Sequence, residues 1–279
     1  MEKIKIISDS TCDLPQYILD RYDIETLPLY VNFGEKRFLD REEINLDQLI
    51  EKIESGEEFP TTSQVIPQRF YECFKKYLEQ GYKIISIHLS SKMSGTYQSA
   101  CVAKSMLESE DILVIDSCNV TAGLGLLVLK AARLKEEGKT LEEINEEVIK
   151  CIPHVKSTLA FETLDYLVKG GRLSKTAGMI GNLLGIKLIL EVKDGQMSVM
   201  DKVRGSKKAA KTIIEYIDTL HIKEDEPCFL LHVHNKDILG TLREELNSRG
   251  QEYIEGEVGC TVGVHAGPLA CGIFFIEKF

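Results

Sequence analysis

Clusters of hydroxyl side chains stand where apolar runs end in the first half of this chain. Asp9-Ser10-Thr11 closes the run from Lys3. Ser90, Ser91, Ser94, Gly95 and Thr96 follow the branched stretch Ile84–Leu89. Asp116-Ser117 closes Ile112–Ile115, and Thr61-Thr62-Ser63-Gln64 precedes a helix signal that opens at Pro67. Side-chain O–H groups beside unpaired backbone N–H groups at a helix start make a donor set for a carboxylate or a phosphate. One such cluster is the ordinary make-up of a helix cap. Four in equivalent positions point to one shared anion site beyond the carboxyl ends of the strands.

Attack by one of these serines needs a base within hydrogen-bond reach. The chain has no G-x-S-x-G elbow. No spacing ties His88 or His265 to a serine, and His88 inside an apolar run reads as a core histidine. Binding without attack is therefore the simpler expectation, with a stand-alone hydrolase or phosphotransferase using Ser94 or His265 as the alternative. His232 and His234, two apart on one expected strand, share a face but leave a metal site incomplete. Eight scattered cysteines include no C-x-x-C pair, so buried free thiols in a reducing cytoplasm are expected, with no metal and no cofactor. No dinucleotide or P-loop fingerprint occurs. Arg172, after Gly170-Gly171, is either an exposed structural arginine or an anion clamp.

The elements that must position these residues alternate in the first half. Strand signals at Lys3–Ser8, Ile24–Phe33, Lys83–Leu89 and Ile112–Asp116 interleave with helix signals at Pro15–Tyr22, Leu46–Glu54, Pro67–Gln80, Ser94–Leu107 and Thr121–Glu137. That rhythm predicts a mostly parallel sheet. Leu124–Leu134 is apolar nearly all round, as in a helix buried between layers. The second half mixes pairings. Asp194-Gly195 predicts a hairpin, and a small-residue helix over Lys175–Leu184 either packs tightly or lines a narrow apolar tunnel. The reading is an α/β protein of two domains, 1–155 and 156–279, the first with a mostly parallel sheet and the second with a mixed one.

Composition narrows the partners. The net charge of −10 argues against nucleic acid. Yet residues 169–211 hold ten basic and three acidic side chains, including Arg172 and Arg204, which is either a solvated face or a positive surface for a phosphate or an acidic partner. No apolar run reaches the ~18 residues of a membrane span. The start, MEKIKIISDS, has neither a long apolar core nor a small-residue cleavage site and reads as a strand.

Seven segments, in order, resemble the DegV family of bacterial fatty-acid-binding proteins: SDSTCDLP (8–15), PTTSQ (60–64), LSSKMSGTYQSA (89–100), LDYLVKGGRLSK (164–175), GNLLGIKLIL (181–190), KVRGSKKA (202–209) and VHAGP (264–268). The resemblance covers nearly the whole chain. It implies a lipid tunnel between two α/β domains and one long-chain fatty acid, of the C16–C18 class, held there. It implies carboxylate donors at Thr62, Ser94 and the Gly95 N–H, with His265 approaching from the second domain. Arg172, with Arg204, is expected at the pocket mouth or facing a partner, and Asp9, Ser10, Ser63 and Ser91 are candidates to support the donors. It also implies a cytoplasmic, non-catalytic subunit that presents its lipid to a separate fatty acid kinase. The resulting acyl phosphate would feed phospholipid synthesis, with at most transient membrane contact. Leu188, Leu269 and Met93 depart from the family pattern, and Leu269 bears on the loop that carries His265. The residues fit this picture: burying a carboxylate needs several donors, and the tail gains about 0.8 kcal/mol per buried CH2.

Overall fold

The computed structural model describes residues 2–56, 58–174 and 185–279. In chain order the first half forms β1 (Ile4–Asp9), α1 (Gln16–Tyr22), β2 (Ile24–Leu27), β3 (Tyr30–Phe33), β4 (Lys36–Leu39), α2 (Leu46–Glu54), β5 (Thr61–Ser63), α3 (Pro67–Glu79), β6 (Lys83–His88), α4 (Thr96–Leu107) and β7 (Ile112–Asp116). Helices α5 (Ala122–Glu136) and α6 (Leu141–Cys151) follow. The rest is β8 (Val155–Phe161), α7 (Asp165–Lys169), β9 (Ile186–Lys193), β10 (Gln196–Arg204), α8 (Ser206–Leu220), β11 (Cys228–His232), α9 (Lys236–Ser248), β12 (Tyr253–Glu257), α10 (Cys260–Ala266) and β13 (Cys271–Ile276). The small-residue helix expected over 175–184 lies outside the described residues.

The branched apolar runs pair in parallel, in the order β2-β1-β6-β7. The second sheet is mixed, in the order β10-β9-β8-β13-β11-β12, with β11 and β12 its parallel pair. An α/β fold with one parallel and one mixed sheet is what the sequence predicts. Helix α5 explains how the sheets join. Its residues Ala122–Leu129 are all buried, and it touches β1 and β6 of one sheet and β8, β11 and β13 of the other. Asp194 and Gly195 take φ of +50° and +77° between β9 and β10, the left-handed pair a two-residue hairpin requires.

Two expectations need correction. The single strand expected over Ile24–Phe33 is two strands, broken at Pro28-Leu29. Proline supplies no N–H to a ladder and fixes its own φ, so the chain leaves the parallel sheet there. Strand β3 then pairs with β4 and β5 in a small antiparallel sheet, ordered β4-β3-β5. The helix expected from Ser94 begins at Thr96, because residues 91–95 form the turn out of β6.

Candidate functional site

A cavity of about 340 Å³ lies where the small sheet, the turn into α4, β8 and α10 meet. Its polar end holds Thr62, Ser63, Gln64, Ser94, Gly95, Arg172 and His265; apolar wall comes from Leu29, Leu89, Val120, Leu159, Phe161 and Met197. The sequence-predicted residues Thr62, Ser63, Ser94, Gly95, Arg172 and His265 are thus brought together from positions up to 203 residues apart.

Each is positioned by identifiable contacts. Strand β5 places Thr62 opposite Val31 of β3, and Asn32 Nδ2 donates to Ser63 Oγ at 2.9 Å. Ser94 Oγ lies 3.0 Å from Thr96 Oγ1 and accepts from the Thr96 N–H at 3.3 Å. Gly95 caps α4, and its N–H has no acceptor among the described residues. A Cβ at residue 95 would stand 2.0 Å from Gln64 Oε1, so glycine lets the Gln64 amide lie against the turn while its Nε2 donates to Ser99 Oγ.

His265 Nε2 is 2.9 Å from Thr62 Oγ1. Its Nδ1 is buried without a partner among the described residues and presses on Gly170, where a Cβ would be 2.1 Å away. Burial first, then the Arg172 charge, push the His265 pKa down to about 4, so the ring is neutral at pH 7. Arg172 donates from Nε to Met93 O at 3.0 Å and from Nη1 to Gly170 O at 2.6 Å. Burial lowers its pKa, and among the described residues no acidic side chain pairs with it. A half-buried cation beside neutral donors favours an anionic guest.

Helix α10, which carries His265, is held by carboxylates from the first half. Asp13 Oδ1 accepts from the Gly259 N–H at 2.9 Å, and Asp40 Oδ1 from the Cys260 N–H at 2.8 Å. Arg41 Nη2 donates to Asp13 Oδ1 and to Glu257 O. Ser10 Oγ donates to Asp40 Oδ2, and Thr121 Oγ1 to Asp13 Oδ2. Sequence reasoning missed this clamp: Asp13 and Asp40 meet the helix across 246 and 220 residues.

The supporting candidates divide. Asp9 is buried, accepting from the Thr11 N–H and hydroxyl with one oxygen, and facing the Leu89 N–H and His88 Nδ1 with the other. It braces Thr11, a cavity residue, and the end of β6. Ser86 Oγ is 2.7 Å from His88 Nε2, which completes a Ser-His-Asp array the sequence reading did not find. All three are wholly buried and off the cavity wall, so the array is a packed hydrogen-bond network, and His88 is the core histidine expected. Ser10 serves the α10 clamp. One candidate is corrected. Ser91 is exposed, and its N–H donates to Asp116 Oδ1; the hydroxyl that reaches across is Ser90 Oγ, donating to Gly195 O at 2.7 Å. Arg204 is exposed on the edge strand β10, where alternation buries Val203 and turns its neighbours outward; of its two expected places it is therefore off the cavity wall, with the outward, partner-facing one left open. His232 and His234 do not share a strand face: β11 ends at His232, and His234, at φ +55°, turns to Asp47 and Glu257 at 3.1 and 3.5 Å.

Comparison with known proteins extends the picture. The family model described as "Uncharacterised protein, DegV family" matches residues 3–278. The chain belongs to the DegV family. A DegV domain-containing protein of Clostridium acetobutylicum is 62% identical over 279 residues, covering all of both chains. Among solved DegV structures, a fatty-acid-binding family member from Thermus thermophilus superposes with a TM-score of 0.92 at 31% identity, over 99% of this chain and 100% of that one. A stearic-acid-binding protein from Eubacterium ventriosum gives 0.88 at 26% identity, over 100% and 99%. Among the described residues of this DegV chain, no helix is long and apolar enough to cross a membrane.

Proposed function

We propose that the chain binds one long-chain fatty acid, head group at Thr62, Ser94 and the Gly95 N–H with His265 orienting Thr62, tail along the apolar wall. The observation that carries this is a cavity with a donor-rich end, a half-buried arginine that no acidic side chain pairs among the described residues, and a largely apolar wall. The fatty acids bound by the Thermus and Eubacterium relatives support it. Neutral His265 can donate from Nε2 to Thr62 Oγ1, which leaves the Thr62 O–H free to donate to a carboxylate. The same contact argues against a Ser–His nucleophile pair, because His265 Nε2 is occupied by Thr62, and Ser94 Oγ by Thr96.

In the fuller reading, a separate fatty acid kinase phosphorylates the bound carboxylate, and the acyl phosphate feeds phospholipid synthesis in the cytoplasm. The exposed cations Lys202, Arg204, Lys207, Lys208 and Lys211, on β10 and the start of α8, offer a surface for that partner. This part rests on the family resemblance and on charge.

Native mass spectrometry of the purified protein tests lipid binding: a co-purified fatty acid is expected, and no lipid together with no binding in solution would overturn it. Thr62→Ala and Ser94→Ala should each weaken binding by about 1–3 kcal/mol, the cost of leaving a charged acceptor short of a donor. Unchanged affinity in both would remove the head-group assignment. For the kinase step, acyl phosphate should form from ATP only when both proteins are present.

A further inference from the structure

Behind the main cavity is a smaller chamber of about 40 Å³. The two share five lining residues, Thr121, Leu159, Phe161, Val262 and Ala266, and so adjoin across them. The chamber's further walls include Leu231, Val233, Val258, Ala270, Gly272 and Phe274. His232 and Cys271 belong to the same strands, where they are paired in register. Cys271 packs with the residues of α8 and α9, while Leu231 and Phe274 pack on the inner face. Alternation therefore turns the side chains of His232 and Cys271 away from the chamber. Among the shared residues, the Thr121 hydroxyl is committed to Asp13. What the chamber presents to a guest is hydrocarbon.

It stays open because two inner positions are small. At Gly272 a Cβ would meet Thr158 O at 2.3 Å and Leu159 Cα at 2.7 Å, so the close approach of β8 keeps that position bare. At Ala270 the side chain is one buried methyl. Interiors are otherwise close-packed, and an unfilled apolar space forfeits dispersion contacts that an alkyl end would restore.

We propose that this chamber receives the terminal carbons of the acyl chain and that Ala270 sets the longest chain accepted. The inference rests on the fatty-acid reading above and adds to it a length-determining residue. Its test is the affinity of delipidated protein for laurate (C12) and stearate (C18). Ala270→Leu should lower stearate affinity about fifteenfold, the worth of two methylenes at roughly fourfold each, and leave laurate within about twofold. Val258→Ala should raise C20 affinity relative to C18 by about fourfold. An unchanged stearate-to-laurate ratio in Ala270→Leu, or equal losses at both lengths, overturns the proposal. Should Ala270→Leu show no cooperative melt, the C20-to-C18 ratio of Val258→Ala decides alone. Wild-type protein that binds neither acid would instead remove the fatty-acid reading itself.

Discussion

His265 joins the site's chemistry to its stability. Its pKa lies near 4 in the fold, from burial and then Arg172, against an ordinary 6.5. Between those values the unfolded chain takes up a proton that the folded ring refuses, so this contribution is full above about pH 6.5 and is lost as pH falls toward 4. The difference amounts to about 3 kcal/mol. Urea unfolding of wild type and His265→Gln from pH 7 to pH 4 should diverge accordingly, wild type losing more stability; parallel curves would contradict a buried neutral imidazole. Leu269 carries a different cost. It holds φ at +62° and is 43% exposed. Its N–H donates to Val233 O, and its carbonyl accepts from Asn235 Nδ2. The strain thus sits in the turn, three residues beyond α10, while His265 keeps its contact with Thr62. A left-handed leucine costs about 1–2 kcal/mol, and a glycine gives back about 0.5–1 kcal/mol in chain entropy. Leu269→Gly should therefore stabilise the protein by about 0.5–1 kcal/mol, read as a higher urea midpoint with unchanged fatty-acid affinity.

At the scale of elements, the position of α10 depends on charges that no local pattern announces. Asp13 is buried, and its carboxylate holds the Gly259 N–H, Arg41 and Thr121. Asp13→Ala would leave a helix N–H, a hydroxyl and a guanidinium short of an acceptor. Loss of one partner from such an arrangement costs about 3 kcal/mol, which chemical denaturation would register; a change below about 1 kcal/mol would contradict the clamp. The same contrast marks what the sequence reveals of the fold. Ile84–Leu89, the apolar helix Leu124–Leu134 and the Asp194-Gly195 hairpin are legible because period, composition and turn chemistry all act locally. Strand β5 is three residues, Thr61–Ser63, with no apolar alternation, and β4 is a charged four-residue edge. Both are strands because β3 is there to pair with, and β3 is free to pair because Pro28 releases it from the parallel sheet. Thr62 and Ser94 are legible as hydroxyls in the right kind of place and through their family motifs. The Asp13–Asp40–Arg41 clamp and the Ser86-His88-Asp9 array depend on tertiary approach, and spacing alone carries no trace of them.

For the whole molecule, the site is an interior space between two sheets, and its occupancy should be visible in global stability. Helix α5 touches both sheets, and one apolar core runs through residues of both halves, so unfolding of either half exposes the cavity walls. A ligand that binds the folded chain alone then stabilises all of it, by about 2.7 kcal/mol at a free concentration 100 times its Kd. For a chain of this size each kcal/mol raises Tm by roughly 2–4 °C. Delipidated protein should therefore melt about 5–10 °C higher with saturating stearate. Octadecanol has the same tail without the charge, so its shift should be smaller by the share that Thr62, Ser94 and Arg172 give to a carboxylate. In Ser94→Ala the two ligands should converge, because the variant loses a donor that the carboxylate uses more strongly than the alcohol. Equal shifts from acid and alcohol in the wild type would mean that the tail is bound and the head group is not recognised. No shift from either would mean that the cavity is not a lipid site.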